Sequence, residues 1–141
     1  MPAAEALLDS NVLIYALPRA PEQPRKQARA RELIATTNFG LSFQVFQEVF
    51  VTATRKLAAP LAPEAALRFL QPFLQFPFVN GTADLFSEAA RLSLRFQIHY
   101  YDAAIVAAAR ELGAAILYSE DLSDGQQYDG VTVVNPFKGL D

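Results

Sequence analysis

The chain has 141 residues, 52% of them hydrophobic and 11 of them Phe, with a formal net charge of -3. That length suits one domain spanning residues 1–141, and the apolar share is enough to build a core. Zero cysteines exclude disulfides, thiolate metal sites and a cysteine nucleophile, the single His99 excludes a His-rich zinc centre, and the acidic balance argues against coating nucleic acid by bulk charge.

Residues 6–9 are apolar and end in Asp9-Ser10-Asn11, three residues that favour a helix start, so a strand should pass into a short helix over 11–17 that Pro18 stops. Residues 23–37 have helical composition, and 39–43 read as a second short strand. Val45, Phe46, Val49, Phe50, Ala53 and Leu57 then recur at helical spacing until Pro60. Pro63 and Glu64 begin another helix that should turn Leu67, Leu70 and Leu74 inward before Pro77 ends it. After a candidate strand over 76–79 and a turn at Asn80-Gly81, residues 82–96 form an amphipathic helix whose apolar side is expected to carry Phe86, Ala89, Ala90 and Leu94. A helix over 101–112 is capped by Gly113 and leads into a buried strand over 115–118, and 131–134 is a last strand before Pro136. Strands separated by one or two helices predict an α/β sandwich with a mostly parallel central sheet. No stretch reaches the roughly 18 uninterrupted apolar residues of a membrane span, and no basic-then-apolar leader is visible, so the expectation is a soluble, cytoplasmic protein.

Four acids, Asp9, Glu48, Asp102 and Asp121, sit among apolar neighbours at widely separated points. In open α/β sheets ligands bind beyond the carboxyl ends of the strands. Asp9 and Asp121 follow strands, while Glu48 and Asp102 fall in the first turns of the helices that come next, so all four can meet at one edge. Taken singly, Asp9 is a helix cap, Glu48 an exposed helical residue, Asp102 a first-turn acid suited to the helix dipole and Asp121 part of a solvated loop. Together they are most economically explained by a shared cation held through oxygen, because acids in apolar surroundings need positive compensation. Glu120 and Asp124 compete with Asp121 for the fourth place.

The segments Leu-Leu-Asp-Ser-Asn-Val-Leu-Ile-Tyr, Phe-Gln-Glu-Val-Phe, Tyr-Tyr-Asp-Ala-Ala-Ile-Val-Ala-Ala-Ala, and Tyr-Ser-Glu-Asp-Leu with Gly-Val-Thr-Val-Val-Asn-Pro-Phe are spread over nearly the whole chain. In this order and spacing the sequence resembles the PIN domain, especially toxin ribonucleases of the VapC type. The resemblance implies a three-layer α/β/α sandwich and an endoribonuclease dependent on Mg²⁺ or Mn²⁺. Asp9, Glu48 and Asp102 would be the core acids and Asp121 the fourth, with Ser119 at the family's Ser/Thr position and Asn11 at its Asn. It also implies a cognate antitoxin protein and a homodimer formed through a helical face. The segment 69–78, rich in Phe, would serve such contacts or fill the core.

Other readings are weaker. A phosphoaspartate phosphatase needs an Asp where Asn11 stands, and a receiver domain needs a Lys soon after Tyr118, where none comes before Lys138. A noncatalytic module of the same fold, or a housekeeping nuclease without an antitoxin, stays open. Arg19, Arg25, Lys26, Arg29 and Arg31 gather five of the twelve basic residues, as a solvated helix face or as a patch that steers RNA inward.

Overall fold

The computed structural model describes residues 4–18 and 22–140. Six strands form one sheet: β1 (Ala6–Leu8), β2 (Phe39–Ser42), β3 (Phe78–Val79), β4 (Ile116–Tyr118), β5 (Gln127–Tyr128) and β6 (Val131–Val134), in the order β3-β2-β1-β4-β6-β5. Every pairing is parallel except β5 with β6. Helices α1 (Ser10–Tyr15), α2 (Pro24–Thr36), α3 (Phe43–Val51), α4 (Pro63–Leu70), α5 (Ala83–Phe96) and α6 (Tyr100–Leu112) cover both faces, giving the expected α/β/α sandwich. All three residues of β1 are buried, as a central strand packed on both sides requires. Among the described residues no helix is long and apolar enough to cross a membrane.

The chain builds outward from β1 in two directions, first through β2 to β3 and then through β4 to β6 and β5. The order therefore reverses between β1 and β4, and at such a switch point the loops leaving the two strands part and open a crevice. Leu8 pairs with Tyr118 in the β1–β4 register, so Asp9 and Ser119 are the next residues out on adjacent strands. Gly40 sits where the end of α6 presses on the sheet. A Cβ there would lie 2.5 Å from the Leu112 side chain and 3.0 Å from the Pro77 carbonyl, so only glycine fits without displacement.

Several local readings are corrected. In α4 the inward stripe is Ala66 and Leu70 with the half-buried Phe69 and Phe73, while Leu67 and Leu74 face out, because the larger Phe pair captures the core contact. In α5 the inward stripe is Leu85, Ala89, Leu92 and Phe96, the face that meets α6. Phe86 and Leu94, expected inward, are exposed, Leu94 by 80%. This helix is apolar on two sides, and periodicity alone selects neither. Segment 69–78 is mainly structural: Phe69, Phe73 and Phe78 pack on the core and Phe76 stacks on Phe39 at 4.5 Å. The α3 helix begins at Phe43, capped by the Ser42 hydroxyl, which places Glu48 in its second turn rather than its first. It runs on into a π-helical turn, Thr52–Lys56, and α4 runs on into a 3₁₀ turn, Gln71–Gln75.

Candidate metal and nucleic-acid site

Asp9 is the innermost acid of the crevice. Its extended backbone ends β1, where its N–H donates to the Tyr118 carbonyl, and its side chain caps α1 by accepting from the Ser10 N–H at 2.7 Å. Ser119, fully buried at the end of β4, donates its hydroxyl to the other Asp9 oxygen, also at 2.7 Å. The same hydroxyl accepts from the Asp121 N–H at 3.1 Å. Capping thus uses one oxygen of Asp9 and Ser119 the other, so the carboxylate is fixed in direction. Asn11, buried two residues beyond Asp9, accepts from the Glu120 N–H and donates to Asp121, each at 3.3 Å. The first and the closing loop are tied together through these two polar side chains.

The three acids of the closing loop separate cleanly. Glu120 accepts from Tyr15 at 2.7 Å and pairs with Lys26 at 2.6 Å, and Lys26 is only 14% exposed. Asp124 accepts from the Asn135 N–H at 2.8 Å and pairs with Lys138. Asp121 makes no ion pair among the described residues and turns toward Asn11. Glu48 on α3 and Asp102 in the first turn of α6 complete the set within electrostatic reach of Asp9.

Burial pushes the Asp9 carboxyl up to about 6, with Asp121 and Asp102 adding to the rise against the lowering effect of its Ser119 and Ser10 hydrogen bonds. Desolvation likewise raises Glu48 to about 7, reinforced by Asp9 and Asp121 and opposed by the charge of Lys56. Glu48 is exposed as a residue, so solvent screens part of this effect. Lys56 belongs to the π-helical turn and carried no signal in the sequence. Nor did Tyr15, whose contact with Glu120 spans 105 positions.

Can these residues hold a cation? The donors are all hard oxygens, and their negative charge is left uncompensated apart from Lys56, which suits a divalent ion of the Mg²⁺ type. Among the described residues no three ligating side chains already converge on one point. The acids thus share one crevice without forming a ready three-ligand cage.

The basic segment is less available than its composition suggests. Lys26 holds Glu120, Arg29 donates to the Pro136 carbonyl and pairs with Glu32, and Arg31 donates to the Ala16 and Leu17 carbonyls at the end of α1. Arg25 is exposed, and Arg19 lies outside the described residues.

The PIN domain family model matches residues 6–123, which contain all four acids and Ser119. The chain belongs to the PIN domain family. Solved structures agree on the fold. A toxin-antitoxin complex from Klebsiella pneumoniae is similar over 94% of this chain and 98% of that chain, with 21% identity and a TM-score of 0.69. VapC20 from Mycobacterium tuberculosis, a sarcin-ricin loop cleaving toxin, is similar over 82% of this chain and 89% of that chain, with 20% identity and a TM-score of 0.65. The structure of FitAB bound to the IR36 DNA fragment is similar over 93% of this chain and 94% of that chain, with 17% identity and a TM-score of 0.66. No sequence among curated proteins matches the chain. At these identities the similarity speaks for the PIN fold.

Proposed function

We propose that the protein is a cytoplasmic endoribonuclease dependent on Mg²⁺ or Mn²⁺, acting as the toxin of a toxin-antitoxin pair. The observation that carries this reading is the switch-point crevice, where the buried Asp9 is fixed by Ser119 and Ser10 beside Asp121 and Asp102, and where burial and neighbouring acids raise Asp9 and Glu48 with Lys56 alone acting against the rise. Asp9, Glu48, Asp102 and Asp121 are the proposed ligands, direct or through water. A bound ion of this kind activates a water near neutral pH and offsets the charge that develops on a phosphodiester. Ser119 positions Asp9 through its 2.7 Å hydrogen bond, and Asn11 positions Asp121. Glu48, the proposed acid with an exposed side chain on a helix, orients the attacking water. Because the acids repel an anionic backbone, the ion is needed for substrate binding as well as for chemistry.

Two surfaces support the expected partners. Phe46 and Phe50 of α3 with Leu67 and Leu74 of the α4 region line an apolar groove of about 480 Å³, suited to the apolar face of an antitoxin helix. On the outer side of α5, Ala90 and the 80% exposed Leu94 suit a second copy of the chain. Both belong to the same proposal, which draws on the toxin-antitoxin complex among the structural relatives.

The test is cleavage of single-stranded RNA by purified protein with added Mn²⁺, with and without excess EDTA. Cleavage that EDTA abolishes is expected. Undiminished cleavage in EDTA, or none with either ion, overturns the reading in favour of a noncatalytic module. A housekeeping nuclease is favoured instead if cleavage is present but no partner protein co-purifies with the wild type, and the groove is ruled out if Leu67→Glu with Leu74→Glu leaves a co-purified partner bound.

A further inference from the structure

Beside the acidic crevice lies a second cavity of a different character. It measures about 360 Å³, and no charged side chain among the described residues lines it. Its walls are Phe43 at the start of α3, Phe86 of α5, and Tyr100 and Tyr101 at the start of α6, with Gln44 and Gln47 at its polar margin. Phe43, Phe86 and Tyr101 are 50%, 59% and 62% exposed, an unusual fraction for three aromatic rings around one hollow. Phe86 and Tyr100 lie 5.7 Å apart at 44° and Tyr100 and Tyr101 5.4 Å apart at 74°, so these three rings form walls, while His99 stacks on Tyr101 at 5.6 Å and 28°.

The position is fixed relative to the acids. Tyr101 directly precedes Asp102, the Gln44 side-chain amide donates to the Tyr101 carbonyl at 3.2 Å, and Gln47 directly precedes Glu48. The hollow and two of the acids are therefore built on the same turns of α3 and α6. A phosphate would find no cation here, and an aliphatic chain would make no use of the aromatic faces or the two amides. A planar neutral ring with polar edges uses all three, and sequence-tolerant binding of single strands elsewhere rests on such base-aromatic stacking. We propose that this cavity holds one unstacked base of the RNA strand whose backbone lies at the acidic crevice, stacked on Tyr101 and Phe43 with Gln44 or Gln47 at its edge. The inference rests on the nuclease reading for its location, and it names a site which that reading leaves unassigned.

The experiment uses a short single-stranded RNA carrying 2-aminopurine and phosphorothioate linkages that slow cleavage, titrated with the full chain in Mn²⁺, alongside steady-state cleavage of the ordinary RNA. Stacking should quench the fluorescent base. Tyr101→Leu and Phe43→Leu, which keep the cavity apolar but remove the π faces, should each lose the quench and weaken binding about tenfold. The loss should appear in KM with kcat unchanged, and Tyr101→Phe should restore wild-type behaviour. Equal quench and equal affinity in both Leu variants would overturn the proposal while leaving the nuclease reading intact. So would light scattering that finds a wild-type dimer turned monomeric by Phe43→Leu, since the hollow would then be an interface between copies. If the wild type binds without cleaving, the nuclease reading falls and the quench titration still decides the subsite.

Discussion

The two edges of the sheet treat carboxylates in opposite ways. At the amino-terminal edge, Glu88 of α5 pairs with Arg91 and Arg110, and Asp129 in the β5–β6 turn pairs with Arg91 and Arg95. The hydrogen bond from Arg91 holds the Glu88 carboxyl below its ordinary value. At the carboxyl-terminal edge, Asp9 and Glu48 are pushed up to about 6 and about 7, with other acids as their neighbours. Acids satisfied by arginine hold α5, α6 and the hairpin together. Acids left facing one another destabilise the free protein, and a fold keeps such a cost where a ligand repays it.

The sharpest way to break this comparison is to neutralise one acid at each edge. Asp102→Asn should reduce metal-dependent RNA cleavage by about 10²–10³-fold, the range for losing a group that stabilises developing charge, with the far-ultraviolet spectrum unchanged. Asp129→Asn should leave kcat/KM as it is. Equal activity in both variants, measured at saturating Mn²⁺, would remove the distinction between the edges.

Stability of the metal-free protein should respond next. The folded value for Asp9, about 6, lies above the 3.8 of an unconstrained carboxyl, so the folded state binds more protons between those values. Stability should therefore rise as pH falls from about 6 toward 4, and fall as pH rises through that window. The whole shift corresponds to about 3 kcal/mol at pH 7. In EDTA at pH 7.5, Asp9→Asn should melt higher than wild type, and the gap should narrow steadily as pH is lowered toward 4. A variant that melts lower at pH 7.5 would show that Asp9 is not under strain.

Between these lies the ion pair that keeps Glu120 out of the crevice. Replacing Lys26 by Met leaves Glu120 with the Tyr15 hydroxyl alone and should cost about 2 kcal/mol by urea denaturation. Mn²⁺ affinity, read by calorimetry, should change as well, because a freed Glu120 lies next to Asp121. Unchanged stability would mean that the pair is solvated.

The α/β alternation, the parallel sheet and the placing of Asp9 and Asp102 were legible because they depend on strong local signals: apolar strands, helix starts, and Gly113 at a left-handed cap. β5 was not legible, since two residues, Gln127 and Tyr128, carry no alternation, although the Asp129-Gly130 turn with both φ values positive is what a tight hairpin needs. The outward stripe of α5 was misassigned because hydrophobic periodicity cannot tell the face that packs into the core against α6 from one left largely exposed. Among the closing-loop acids, the choice depended on Lys26, Asn11 and Lys138, partners that are distant or out of phase in sequence. Asp121 is left toward the crevice by what the others bind.

The smallest effect separates the edges by salt. Surface ion pairs contribute about 0.5 kcal/mol each and are screened by added electrolyte, so Arg95→Gln should lower the melting temperature slightly at low salt and hardly at all in 1 M NaCl, where charges interact over only about 3 Å. At the acidic edge screening acts on repulsion, so salt should stabilise the metal-free wild type and shrink the advantage of Asp9→Asn. It should shrink it only in part. Burial is the first cause of the raised Asp9 carboxyl, and electrolyte cannot reach a desolvated group as it reaches a surface arginine. An advantage abolished by 1 M NaCl would assign the whole shift to neighbouring charge, and the crevice would then be wetter than the buried Asp9 and Ser119 require.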